Sequence, residues 1–431
     1  MGTQIVLIHV DAMRREYVGA WILSELLKKN GYRVILTARH STRRLIKKFN
    51  VSHYISTHVY QHSPEDWLVF KKRGIKLYVA EVEGIDFEDG WTDTYPTHVG
   101  ASKIDYSLFD GFFVWSSASK KWLAKTHGIS QTQIFITGSI RQSKYIRQQK
   151  EITNKVIGFI SRFEVINTFD SRHVFENLMK LDPESPQDYW YFDRCFIDAE
   201  VFALYVKIIK RLVKLGYVVS IRPHPNESTN AYDLVKKMFG DKVQIDDSYG
   251  ITEWLAKVST VISTSSTAFT DAYLLKKRIV SLTKIQKHHF RDPSQKDLYS
   301  RFDRLAYVPS TIDDLVNFIS CSDDNYLDNP LGEEHLKSYY SIDPDTDPAD
   351  SMLKIISSVN GMSISNSTYY SIFLWVFFID ILALLKMSLS IRPVLKTKNF
   401  INYNYNRLLH RPTNFMLSLK KSLDGNARGV D

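Results

Sequence analysis

Two successive series of strand and helix signals, separated by one polar stretch, constrain this chain more than any other feature. In the first series Ile5–His9 is a continuous apolar run. Tyr17–Lys29 then carries Val18, Trp21, Ile22 and Leu26 at helical spacing, and Gly31 stands where a helix C-cap is expected before the strand Arg33–Thr37. Leu77–Ala80, Gly111–Trp115 and Gln133–Thr137 read as further strands, with Lys120–Thr126 as a helix. The stretch Arg141–Lys155 is charged, has no apolar period, and reads as a linker.

The second series opens at Val156–Ile160. Glu200–Leu215 reads as a helix closed by Gly216, and Tyr217–Ile221, Val243–Ile245, Val261–Ser263 and Ile279–Ser281 read as strands. Thr267–Leu275 is expected as a helix between the last two. Strand–helix–strand units of this kind build parallel sheets. The expected fold is α/β, with two Rossmann-like domains facing each other across a cleft. The expected boundaries are 1–150, 151–362, and a C-terminal extension over 363–431.

Size and composition agree with that division. At 431 residues, 44% apolar and 24% charged, the chain exceeds one ordinary core and is too apolar for disorder. Cys195 and Cys321 are the only cysteines and form no CxxC pair, so neither a disulfide framework nor a structural zinc site is expected. Met1–Val10 is a short apolar strand without a basic n-region, which argues against a secretory signal and for a cytoplasmic protein.

The charge is uneven. Of the net +9, residues 386–431 contribute nine Lys/Arg and two Asp, leaving the remainder near neutral. A basic tail points to an anionic surface, and a solvated terminus is the bland alternative. Just before it, Tyr369–Leu385 is apolar apart from Ser371 and Asp380. It is short for a membrane span, and Asp380 would be costly at mid-bilayer. An interfacial helix fits better, with a buried core helix as the alternative.

Ligands of open α/β sheets lie beyond the carboxyl ends of the strands, so polar motifs at strand ends carry most weight. The first is Ile221-Arg222-Pro223-His224-Pro225-Asn226-Glu227, where two prolines hold His224 just past a strand. Arg222 could make a bidentate contact with an anion. The second is Ser263-Thr264-Ser265-Ser266-Thr267, where a strand enters a hydroxyl-rich turn and then a helix. One such residue would serve as a cap, whereas several at a helix start suit a phosphate. Asp343-Pro344-Asp345 reads as turn chemistry, and the pair His288 and His289 has no ligand partner at a telling spacing.

Together these two motifs resemble the C-terminal domain of GT-B glycosyltransferases of the surface-carbohydrate type, including the β-Kdo transferases that use CMP-Kdo. Related signals occur in the glycerol-phosphate and ribitol-phosphate polymerases of teichoic acid synthesis. Four further segments match the first group in order: Met13-Arg14-Arg15-Glu16, Glu81-Val82-Glu83-Gly84, Phe113-Val114-Trp115, and Thr137-Gly138-Ser139-Ile140-Arg141. The acidic segment departs from that group's pattern, with Glu81 where an Asp is usual and Val82 in place of one Glu.

The resemblance implies a CMP-sugar donor held by Arg222–Glu227 and Ser263–Thr267. It implies a lipid-linked glycan acceptor, a position on the inner face of the cytoplasmic membrane, and no metal or other cofactor. It also favours retention through an Asp or Glu nucleophile. Asp193, in Tyr191-Phe192-Asp193-Arg194, is the candidate, and a helix-start aspartate or an ion pair with Arg194 is the other reading. Glu83 is the second candidate carboxylate, and His224 the candidate catalytic histidine.

Overall fold

A computed structural model of the protein describes residues 3–10, 12–37, 39–80, 104–147, 156–168, 174–182, 184–185, 188–246, 248–264, 266–291, 301–321, 346–359, 361, 363–364, 369–372, 374–375 and 378, with three isolated helical positions at 332, 334 and 336. The chain divides into two compact units, with the boundary between 148 and 149.

The first unit is a parallel sheet built from β1 (Thr3–His9), β2 (Arg33–Thr37), β3 (His53–Ser56), β4 (Lys76–Ala80), β5 (Gly111–Val114) and β6 (Ile134–Ile136). Its order is β2-β1-β3-β4-β5-β6. Helices α1 (Met13–Lys29), α2 (Arg39–Lys48), α3 (Pro64–Lys72) and α4 (Ser117–His127) connect the strands. Parallel strands covered on both faces need continuous apolar runs, and β1 supplies one: Ile5, Val6 and Leu7 have no exposed surface. Trp67, Phe70, Tyr54 and Phe109 fill the core beside them, each burial contributing about 2 kcal/mol. Gly31 ends the first crossover with φ 85°, the left-handed conformation its sequence position implies.

The helix Pro348–Ser357 also belongs to this unit, although its sequence position falls within the second expected domain, 151–362. Asp347 explains the attachment. Its carboxylate accepts from Ser143 Oγ at 2.9 Å and Lys144 N at 2.5 Å, while capping the helix through Ala349 N at 2.9 Å. Met352 and Ile356 are buried, and the helix packs on α1. Ser363–Ile364 then pairs antiparallel with Thr3 and Gln4 of β1. The described part of the expected linker, 141–147, likewise joins this unit, and Tyr145 and Ile146 are buried.

The second unit holds β7 (Val156–Ile160), β8 (Val218–Arg222), β9 (Val243–Ile245), β10 (Thr260–Ser263) and β11 (Arg278–Ser281), all parallel, in the order β11-β10-β7-β8-β9. Its helices include α5 (Tyr189–Lys214), α6 (Tyr232–Phe239) and α7 (Ala268–Leu274). α5 begins at Tyr189 rather than Glu200, so Asp193 lies within its first turns. Gly158 of β7 is required by close packing, because a Cβ there would stand 2.7 Å from the buried Trp254 ring. The indole in turn donates to Ser220 Oγ of β8 at 2.9 Å.

Candidate functional site

The second sheet reverses direction between β7 and β10: β8 and β9 extend to one side of β7, β10 and β11 to the other. A reversal of this kind opens a crevice at the carboxyl ends of the strands. Three loops meet that edge: Ser161–Glu164 after β7, Pro223–Ser228 after β8, and Thr264–Thr267 after β10. Ser265 lies outside the described residues.

His224 is about a third exposed, and its Nδ1 stands 3.3 Å from Glu164 Oε2. Asn226 joins the same pair, donating from Nδ2 to Glu164 Oε2 at 3.1 Å and from its backbone N to His224 Nδ1 at 3.3 Å. Arg162, 29% exposed, has its Nε 3.9 Å from the other oxygen of Glu164. Burial alone would raise the Glu164 pKa, but the charges of His224, Arg162 and Arg194 outweigh it and hold the carboxyl down at about 2. Glu164 is therefore a fixed anion beside the His224 imidazole and the guanidinium groups of Arg162 and Arg194.

A buried network ties these loops together. Glu227 has no exposed surface and accepts from Ser161 Oγ at 2.9 Å, from Phe163 N at 2.5 Å and from Tyr232 OH. Burial nevertheless pushes its pKa up to about 7, against those three hydrogen bonds. Arg194 of α5 pairs with Asp198 at 2.7 Å and donates to the Arg162 carbonyl. Burial raises Asp198 to about 7 despite that guanidinium. Ser263 Oγ and Tyr205 OH both donate to the Ile160 carbonyl, at 3.0 and 2.7 Å.

The sequence-derived candidates therefore separate into two groups. His224 and Asn226 face solvent, and Pro225, Thr264, Ser266 and Thr267 are partly exposed. The Thr264 carbonyl accepts from Ser281 Oγ at 2.5 Å, and Ser266 Oγ accepts from Ala268 N at 3.2 Å, opening α7. Arg222, Ser263 and Glu227 instead point into the fold. The Arg222 guanidinium is engaged by Asp246, with further bonds to the Ser248 and Tyr249 carbonyls at 3.3 and 3.4 Å. It fixes the end of β8 to the end of β9.

Asp193 is nearly buried and clamped by Arg291, through Nε at 2.6 Å and the backbone N at 2.8 Å. Its ion-pair partner is thus Arg291, while the adjacent Arg194 serves Asp198. Glu83 lies outside the described residues, as do Asp343, Pro344 and Asp345.

Sequence reasoning missed Arg162, Glu164 and Asp198, and gave Arg194 a different partner, Asp193. The signal was present for the first two: Ser161-Arg162-Phe163-Glu164 follows β7 just as Pro223–Glu227 follows β8, and the strand-end rule applies equally to both.

In the first unit the sheet reverses between β1 and β3. A cleft there is lined by His9, Arg15, Glu16, Thr57, Ser139 and Arg141, among others. Arg15 Nη2 bonds Glu16 Oε1 at 2.8 Å, and Arg141 lies 5.1 Å over the buried Trp115 ring. Three of the four N-terminal segments that carry the family resemblance thus converge around one sheet edge.

No family model matches the sequence, and no curated protein matches it either. Solved structures do match. One variant of the wall teichoic acid polymerase TagF aligns with TM-score 0.51 at 12% identity, covering 83% of this chain and 89% of that one. Unsubstituted TagF gives 0.50 at 12%, with 83% and 89% covered. A UDP-N-acetylglucosamine 2-epimerase aligns at 0.47 with 13% identity, over 83% and 95%. At such identities the likeness is one of fold. Two parallel-sheet α/β domains with the TagF match give the chain a GT-B fold.

Proposed function

We propose that the protein is a glycosyltransferase moving Kdo, or a similar acidic sugar, from a CMP-activated donor to a surface-glycan acceptor of the lipopolysaccharide O-antigen or capsule type. The observation that carries this reading is the pairing of His224 with Glu164 at the carboxyl ends of β8 and β7, with Arg162 on the same loop as Glu164. Cations at that edge suit a donor with two anionic groups, the CMP phosphate and the sugar carboxylate.

In this account His224, Pro225, Asn226 and the hydroxyl-bearing turn Thr264, Ser265, Ser266, Thr267 receive the phosphate, and Arg162 faces the sugar carboxylate. Arg222, Ser263 and Glu227 hold the loops from within. During transfer the bond between the anomeric carbon and the phosphate oxygen breaks, and CMP departs with the electron pair. The acceptor oxygen ends bonded to that carbon, its proton passing to a base. Retention requires a carboxylate to occupy the anomeric carbon in between, and Asp193 and Glu83 are the proposed carboxylates. Asp193 in that role must exchange its Arg291 contacts for the sugar.

The acceptor is proposed to be a lipid-linked glycan, met at the inner face of the cytoplasmic membrane with help from the C-terminal tail 363–431. Transfer is proposed to need no metal or other cofactor, so EDTA should leave it intact.

A second reading is favoured by the same histidine: an imidazole oriented by a carboxylate is a suitable base for a polyol hydroxyl attacking a CDP-activated polyol phosphate. Donor supply separates the two. CMP-Kdo should support transfer to a lipid-linked acceptor, while CDP-glycerol should not. Transfer from CDP-glycerol alone would establish the second reading. Nucleotide binding without transfer from either would mark a catalytically degenerate scaffold.

A further inference from the structure

We propose that one face of the first unit is a docking surface for an anionic lipid bilayer, formed by the helical residues 369–372, 374, 375 and 378 together with α2. This rests on the reading of the protein as membrane-associated, and adds to it a folded surface distinct from the basic segment 386–431.

Residues 369–372, 374, 375 and 378 are helical. The inner side is anchored: Ile372 has no exposed surface, and Tyr369 and Trp375 pack against the core of the first unit. Trp375 meets Phe49 edge-on at 5.7 Å between ring centroids. Opposite this anchor, Tyr370, Leu374 and Phe378 are 57%, 64% and 57% exposed. Spacings of four residues place them in one row along the helix. Single exposed apolar side chains are ordinary, but a row of three on a helix already docked by its other side is a surface that needs an occupant.

The neighbouring charge says which occupant. α2 reads Arg39-His40-Ser41-Thr42-Arg43-Arg44-Leu45-Ile46-Lys47-Lys48, five Lys/Arg with no acid. Leu45 and Ile46 are buried, while Arg43, Arg44, Lys47 and Lys48 are exposed. Asp66 pairs with Arg43 at 2.6 Å and with Lys47 at 2.8 Å, so one carboxylate offsets part of the charge and the face stays positive. The basic residues reach the flanks of this helical segment, not the row itself: Lys48 Nζ lies 5.3 Å from the centre of the Trp375 ring, and Arg33 of β2 lies 5.4 Å from that of Tyr369. Aromatic and aliphatic side chains bordered by Lys and Arg match the boundary between acyl chains and anionic headgroups. Among the described residues no helix is long and apolar enough to cross a membrane.

The test is co-sedimentation of the full chain with vesicles of phosphatidylcholine alone or mixed with phosphatidylglycerol. The protein should bind the mixed vesicles, more weakly as salt rises. Leu374→Glu with Phe378→Glu should weaken binding at least about tenfold, the effect of withdrawing two large apolar side chains from the interface. Arg44→Glu with Lys48→Glu should remove the preference for phosphatidylglycerol. Far-ultraviolet circular dichroism and melting temperature should not change, because all four positions are exposed. Retained binding in both pairs would overturn the proposal. If instead only deletion of 386–431 releases the protein, the tail is the membrane contact and this face is not. If the first pair abolishes self-association of the chain rather than vesicle binding, the occupant is a second copy and the proposal fails.

Discussion

His224 Nδ1 lies 3.3 Å from Glu164 Oε2, which links the loop after β8 to the loop after β7 across adjacent strands of the second sheet. A β-bridge between Thr168 and Glu227 also joins the segments after these two strands, and the pair, with Asn226 beside it, sits on that base. Glu164 stays ionised far into acid, because the charges beside it outweigh its burial.

Glu164 is therefore expected to act through His224. Glu164→Gln should lower kcat by up to about a hundredfold, the low end of what a positioned acid–base group contributes. Glu164→Asp should recover part of it. Unchanged kcat in Glu164→Gln would remove the positioning role, whatever the effect on melting temperature.

Glu227 and Asp198 make the second unit less stable at neutral pH than in weak acid. Burial raises both to about 7, above their ordinary carboxylate range. Between about pH 4.5 and 7 the unfolded chain has lost these protons while the folded chain keeps them, so stability falls as pH rises through that window. For Glu227 the change is at most roughly 3 kcal/mol. Urea unfolding at pH 5 and pH 8 should show the slope, and Glu227→Gln should flatten it. A slope as steep in the variant as in the parent would contradict this.

Arg222 is expected to matter for stability rather than for ligand. Removing it in Arg222→Ala leaves Asp246 buried without its cation, which costs about 3–5 kcal/mol. Urea denaturation measures that loss. If the variant were as stable as the parent but bound nucleotide poorly, Arg222 would belong to the ligand site after all.

Asp193 separates two roles by kinetics. As nucleophile, its conversion in Asp193→Asn should cut turnover of CMP-Kdo by at least about a thousandfold. As a mere tether for Arg291, the same change should act mainly on KM or on melting temperature. Unchanged turnover would leave Glu83 as the proposed nucleophile.

Much of the fold was legible because parallel strands covered on both faces must be apolar throughout, and both series of strands were visible in that way. The glycines at 31 and 216 marked their helix ends, with φ of 85° and 88°. What escaped had physical causes. β3 is only His53–Ser56, four buried residues with polar ends and no alternation to detect. The first turns of α5 present Tyr191 and Phe196 to solvent, so no apolar stripe announces the helix before Glu200.

The helix Pro348–Ser357 finds its place through Asp347 and Ser143, partners some two hundred residues apart that no local pattern connects. The site was legible in the same uneven way. Prolines fixed the position of His224, but a strand-end arginine can turn outward to a ligand or sideways to the next strand. For Arg222 the choice was made by Asp246, beyond the reach of a motif. Glu164 was overlooked because its role depends on the parallel pairing of β7 with β8.

The most direct test of the account is calorimetric titration of the full chain with CMP, repeated on His224→Ala. The account predicts saturable CMP binding, stronger than that of UMP, and weakened about tenfold or more in the variant through loss of one charge-assisted contact. No CMP binding by the parent, or equal binding by parent and variant, would contradict it.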